Sequence, residues 1–286
     1  MTFWLLQALN SIAFGGVLFL LSVGLSLIFG LMRIPNLSHG ALFMLGAYVG
    51  YATLSAGMPF WVAAIAGAVA SGAVGAAMEF FLLRRLASNE KAQVLLTIGM
   101  TFIISDSIIG IWGGDPRSID APEFLRGAVD IAAITVPPYR LALVAVACVV
   151  AVSLWVAIDR TRIGAMLRAG VDDRNMARAV GIPVYRLFTL VFTLGAALAG
   201  LGGVLAGPVL SAYPGLDLDM LPLALIVVIL GGVGSLAGAL LGSVVIGFIY
   251  TLGQALLPDL AYVILFLPMV IVLAVRPQGL FGRAAV

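Results

Sequence analysis

The side chains that usually perform chemistry are nearly absent from this chain. Among 286 residues there is one histidine, His39, one cysteine, Cys148, and one lysine, Lys91. A metallopeptidase needs H-E-x-x-H, and nucleophilic catalysis needs a serine or cysteine beside a histidine or lysine. The first cannot be assembled from one histidine, and for the second one histidine, one cysteine and one lysine leave little from which to build a site. Cys148 sits inside an apolar run, so no disulfide framework or thiolate metal site forms within the chain. The sequence therefore reads as non-catalytic, with no metal and no cofactor bound by the chain. It also lacks a G-x-x-x-x-G-K-S/T phosphate loop, so ATP hydrolysis would fall to another polypeptide.

The charge that exists is concentrated. The segment Asp159–Arg186 carries Arg160, Arg162, Arg168, Arg174, Arg178 and Arg186 against Asp159, Asp172 and Asp173. Within it, Asp172 is placed to cap a helix over Asp173–Val180. Asp173 in the first turn and Arg178 in the last suit the helix dipole, and Gly181 suits a left-handed C-terminal cap. On that helix Met176, Ala177 and Val180 would share one face, and Pro183 blocks its continuation. Topology explains basic residues in such a loop but does not require caps, so the ordered helix predicts docking onto a soluble partner.

Three other polar features lie within apolar runs. His39, in Asn36-Leu37-Ser38-His39-Gly40, starts a run. Either Ser38 or Asn36 caps a helix there while His39 satisfies backbone carbonyls, or the break lines a cytoplasmic gate. Asp106 shares its run with Thr97, Thr101 and Ser105; it either lines a pathway, meeting a cationic group, or bonds to a neighbouring helix. Glu79 ends a small-residue stripe, Ala63, Gly67, Ser71 and Gly75, and is expected to pair with Arg84 or a neighbour.

The elements that would position these residues are membrane helices. The chain is 63% hydrophobic and 10% charged, with mean hydropathy +1.18, whereas a soluble domain carries about 25% charged residues. A net charge of +2 and no basic patch with interleaved aromatics give no nucleic-acid footprint. Apolar runs fall at about 5–31, 38–56, 59–83, 92–112, 139–158, 187–210, 218–233, 235–257 and 261–275. The fold class expected is all-α, a polytopic bundle of eight or nine spans forming one domain over residues 1–286. The first run is too long for a signal-peptide core and lacks a basic n-region, so it reads as a retained helix.

Basic residues set the orientation. With Asp159–Arg186 inside, alternation also places Arg33, Arg84, Arg85, Lys91, Arg276 and Arg283 inside, leaving only Arg117, Arg126 and Arg140 of the 15 basic residues outside. Most acids fall outside, Asp217 among them. The N-terminus is expected outside and the C-terminus inside. The external stretch Gly113–Pro138, with Pro116, Pro122 and Pro137, is expected to be irregular.

Four motifs in register now give a family resemblance. Gly164–Pro208 resembles the cytoplasmic loop and following helix of ABC-importer permeases of the branched-chain amino acid class. Gly30-Leu31-Met32-Arg33-Ile34-Pro35-Asn36-Leu37-Ser38-His39-Gly40 is similar to the H-type subunit of those permeases, and Gly231–Gly238 and Arg276–Arg283 are the other two matches. Ser38 stands where the family usually has Ala, and Ala41 where it often has an acidic residue. The resemblance implies a permease subunit for Leu, Ile or Val in a bacterial inner membrane. It implies four kinds of partner: a second homologous permease, two cytoplasmic ATPases carrying ATP and Mg, a periplasmic binding protein, and membrane lipid. It makes Asp172–Val180 a coupling helix, with Arg168, Asp172, Asp173, Arg174, Asn175, Arg178 and Gly181 at the ATPase contact. Asn36, Ser38, His39, Thr97, Thr101 and Asp106 are the residues expected along the path. The alternatives are an importer of the same class carrying urea or short amides, and an ion-coupled secondary transporter. The latter usually needs several intramembrane acids and repeats; here only Asp106 and Glu79 qualify, and no repeat is visible.

Overall fold

Each apolar run becomes a helix in the computed structural model, which describes residues 2–32, 36–86, 89–131, 134–276 and 278–282. Arg33 and Arg283, both expected inside, lie outside the described residues. The helices are α1 (Thr2–Met32), α2 (His39–Ser55), α3 (Phe60–Ala77), α4 (Glu90–Trp112), α5 (Pro138–Arg160), α6 (Arg162–Asp172), α7 (Arg174–Ala179), α8 (Val184–Leu210), α9 (Leu216–Gly231), α10 (Leu236–Leu256) and α11 (Ala261–Val275). Among the described residues, six are long and apolar enough to cross a membrane: α1, α3 with its extension to Leu86, α4, α5, α8 and α10. The other three runs form shorter helices of 17, 16 and 15 residues, α2, α9 and α11.

Helix α1 is the centre of the bundle. Of its apolar window 83% is buried, against 17% for α4, which packs mainly on α2 and is peripheral. Around α1 lie α5, α8, α9 and α10, and α8 in turn packs against α2 and α3.

Small residues set how closely these helices approach, as expected where lipid supplies no hydrophobic drive between them. The stripe on α3 is buried throughout. Ser71 donates to the Leu42 carbonyl at 2.8 Å, and a side chain at Gly67 or Gly75 would collide with Val204 or Ala196 of α8. A Cβ at Gly203 would overlap the Phe43 carbonyl and reach the Ala47 nitrogen at 3.0 Å. These are backbone atoms, so they cannot rotate away. Gly203→Leu is therefore expected to cost about 3 kcal/mol or more, read as loss of monodisperse protein and a lowered melting temperature in detergent.

Three of the four motifs meet at one end. Gly30 of α1 lies against Gly234, whose N–H donates to Ser26 Oγ at 3.1 Å. The tail returns to the same place: Leu280 N–H donates to Leu230 O (2.9 Å) and Phe281 N–H to Gly231 O (3.0 Å). Their spacing in sequence thus corresponds to one packed cap on the bundle.

The stretch Gly113–Pro138 is more ordered than expected. It contains a helical turn, Glu123–Leu125, and an antiparallel two-stranded hairpin, Val129–Ile131 with Ile134–Val136. Arg117 bridges to Ala212, with N–H to carbonyl distances of 2.7 and 2.9 Å, which ties the segment to the α8–α9 connection.

Candidate functional site: a docking helix and a buried helix start

The loop Asp159–Arg186 folds as two helices, α6 and α7. Thr161 caps α6, accepting from Gly164 N–H at 3.2 Å. Asp172, expected to cap the docking helix, is the last residue of α6. Asp173 is the cap: its Oδ1 accepts from Asn175 N–H (2.8 Å) and Met176 N–H (3.0 Å). The displacement by one residue follows from α6, which takes up Asp172 before the chain turns. At the other end Gly181 adopts φ +87°. Its N–H donates to Arg178 O, and Ile182 N–H to Ala177 O, the paired bonds of a Schellman ending.

Met176, Ala177 and Val180 do not share a face as expected. Ala177 is buried with Val184 and Phe188, fixing α7 to the start of α8. Met176 and Val180, one turn apart, are 61% and 68% exposed. Both apolar side chains therefore project from a doubly capped turn of helix. Arg168 points the other way. It donates to the Ile158 carbonyl and pairs with Asp159 at 3.5 Å, holding α6 on the end of α5. Arg174 begins α7, and its side chain lies outside what is described.

A polar clamp joins this region to the bundle. Arg178 lies over the Tyr185 ring at 5.2 Å, and Arg84 over the same ring at 5.6 Å. Arg84 pairs with Glu79 at 3.1 Å, as expected from sequence, and Thr189 of α8 donates to the same carboxylate at 2.6 Å. Glu79 sits in a π-helical turn, Met78–Leu82, and its side chain is 2% exposed. The path from α7 into α3 and α8 thus runs through Tyr185, Arg84 and Glu79.

The second polar region is deeper than the sequence suggests. His39 Nε2 lies 3.0 Å from the Leu21 carbonyl, so that nitrogen carries the proton. Leu21 precedes the end of α1 by three turns, about 16 Å at 1.5 Å per residue. Helix α2 therefore starts inside the bundle, alongside the body of α1 and not level with its end. Ser38 occupies the N-cap position but caps nothing: its hydroxyl donates to Asn36 Oδ1 at 2.6 Å, and its N–H to the same oxygen at 3.1 Å.

Hydroxyls on α4 hold this start in place. Thr97, Thr101 and Ser105 recur every four residues, so they lie along one helix face. Thr97 Oγ1 accepts from Leu37 N–H (3.4 Å), and Thr101 Oγ1 donates to Leu37 O (3.2 Å). Asn36, Ser38, His39, Thr97 and Thr101 are thereby brought together. Asp106 is not: it is exposed on α4. The acid that joins the group is Asp217, in the first turn of α9, whose Oδ2 accepts from Ser105 Oγ at 2.9 Å. Sequence reasoning placed Asp217 on the external side, by alternation of the apolar runs from the basic loop. Its burial to 4% exposure comes from α2 and α4, remote in sequence.

Comparison with known proteins gives the family. The family model described as branched-chain amino acid transport system / permease component matches residues 7–273. The high-affinity branched-chain amino acid transport system permease protein LivH of Escherichia coli K12 is 28% identical, over 99% of this chain and 97% of its own. The corresponding protein BraD of Pseudomonas aeruginosa is 26% identical over the same shares. The fructose import permease protein FruF of Bifidobacterium longum is 26% identical over 80% of this chain and 65% of its own. No solved structure matches the chain significantly. On a match that spans nearly its whole length, this multi-pass helical membrane protein belongs to the branched-chain amino acid permease-component family.

Proposed function

We propose that the chain is one of two permease subunits of an ATP-driven importer for branched-chain amino acids in a bacterial inner membrane. The observation that carries this reading is α7, a doubly capped helix that projects Met176 and Val180 from a chain of the permease family. In this reading α7 seats in a cytoplasmic ATPase, which holds the ATP and Mg, and the chain itself is not an enzyme. The docking contact comprises Met176 and Val180 with Asn175, Arg174 and Arg178; Asp173 and Gly181 shape the helix, Arg168 fixes α6 behind it, and Asp172 lies at the turn between the two helices. Nine crossings are proposed, with α2, α9 and α11 completing the six longer helices, the N-terminus outside and the C-terminus inside. A periplasmic binding protein delivers cargo to the outer face. The path runs past Asn36, Ser38, His39, Thr97 and Thr101. A carboxylate facing lipid costs about 2.5–3.5 kcal/mol at a helix centre and less toward a helix end, where Asp106 lies on α4, so the exposed Asp106 is covered by the second permease or by the aqueous path.

Uptake into proteoliposomes tests this. They would hold this chain, its partner permease and the ATPases, with binding protein outside and leucine compared with urea and short amides. Leucine uptake requiring both ATP and binding protein is the expected result. Uptake of urea or an amide in its place would move the cargo class, and ion-driven uptake by this chain alone would overturn the reading.

A further inference from the structure

Two carboxylates are buried among the described residues, and they are treated differently. Glu79 has a guanidinium against it, Arg84, and a second donor in Thr189. Asp217 has no ion pair among the described residues. Its Oδ2 accepts one bond from Ser105, and its Oδ1 is buried without a partner. The first-turn position on α9 favours an anion, but that contribution is small beside the cost of a desolvated carboxylate oxygen with nothing to accept. The oxygen is suited to a cationic donor that arrives from elsewhere.

The surroundings indicate which donor. A side chain at Gly40 would meet the Asp217 carbonyl at 2.5 Å, so the first turns of α2 and α9 are in contact. Just before α2, Asn36 Nδ2 is buried with no acceptor. An unused acceptor on α9 and an unused donor at the start of α2 are complementary in kind to the two charged ends of an α-amino acid, ammonium and carboxylate. Ser105 stands at the edge of the pair, half-buried, and its neighbour Asp106 is exposed on the outer face of α4.

We infer that Asp217, oriented by Ser105, receives the ammonium group of the cargo as it passes the start of α2. This inference rests on the importer reading above. It moves the cation-recognising role from Asp106, the acid that sequence singles out, to the buried acid one helix away.

The test uses the assembled permease–ATPase complex without binding protein, and labelled leucine. The competitors are 4-methylpentanoate, which lacks the ammonium, and isopentylamine, which lacks the carboxylate. Asp217→Asn keeps an acceptor for Ser105 but removes the charge. It is expected to weaken leucine and isopentylamine at least about tenfold and to leave 4-methylpentanoate unmoved; Ser105→Ala is expected to weaken the first two about threefold. A structural role would shift all three ligands together, and that result would overturn the inference, as would no shift at all or no leucine binding to the unaltered complex. Should Asp217→Asn fail to assemble, Ser105→Ala with the same three ligands decides. Failure of the importer reading is seen separately, as absence of ATP-dependent uptake by the unaltered proteins.

Discussion

Replacing Met176 and Val180 together by glutamate is expected to lower ATP-driven uptake by at least about 100-fold and to release the ATPases from the purified complex. Interface energy concentrates in a few well-packed side chains, each worth about 2 kcal/mol or more when lost, and about 1.4 kcal/mol is a factor of ten. Met176 of α7 and Val180 at its C-cap are the large apolar side chains exposed there, while Ala177 is turned into Val184 and Phe188. Because neither is packed in the chain's own core, the melting temperature of the isolated permease should barely move; exposed substitutions usually lie within about 0.5 kcal/mol. Co-purification of ATPases, uptake and thermal melting are read on the same preparation. Full uptake with unaltered melting would remove α7 from the coupling role. Arg178→Glu is expected to act more weakly, since Arg178 also lies over Tyr185 and its loss disturbs the clamp as well as the contact.

How much of this was legible follows from the physics of each element. The apolar runs were readable because a membrane helix must satisfy its backbone internally over many consecutive apolar residues. The stripe from Ala63 to Glu79 was readable for the same reason, as helical periodicity fixes which residues share a face. Helix α6 was not separable from α7. It is an 11-residue polar helix, and its hold on the bundle comes from Arg168 and the α5 end, which no local pattern announces. The depth of the α2 start did leave a trace. The 31 residues of α1 span about 46 Å, more than a hydrocarbon core of about 30 Å, so the chain has room to fold back along it. The burial of Asp217 left none, because its partner Ser105 is 112 positions away. Asp106 drew attention because its carboxylate interrupts an apolar run, whereas Asp217 looked like an ordinary acid at a helix start.

Arg84→Ala is expected to be the most destabilising change where α3 ends, about 3 kcal/mol, the low end of the cost of stranding one member of a buried ion pair, because Arg84 is itself 28% exposed. Glu79 is the reason. With its side chain 2% exposed it depends on Arg84 and Thr189, and removing the guanidinium leaves a poorly solvated carboxylate with only the Thr189 hydroxyl to donate to it. Removing both charges should cost less: in Glu79→Gln with Arg84→Met no ion remains to be desolvated, and the amide can still bond Thr189. The order of melting temperatures expected is therefore unaltered protein, then the double variant, then Arg84→Ala. The same comparison separates stability from coupling. The double variant also removes the cation shared by the rings of Phe80 and Tyr185, and with it the link from α7 to the end of α3. If motion of α7 reaches the bundle through Tyr185 and Arg84, the double variant stays folded and hydrolyses ATP but imports less cargo per ATP. An Arg84→Ala protein as stable as the double variant would show that Glu79 is not stranded, and unchanged cargo per ATP in the double variant would show that coupling takes another route.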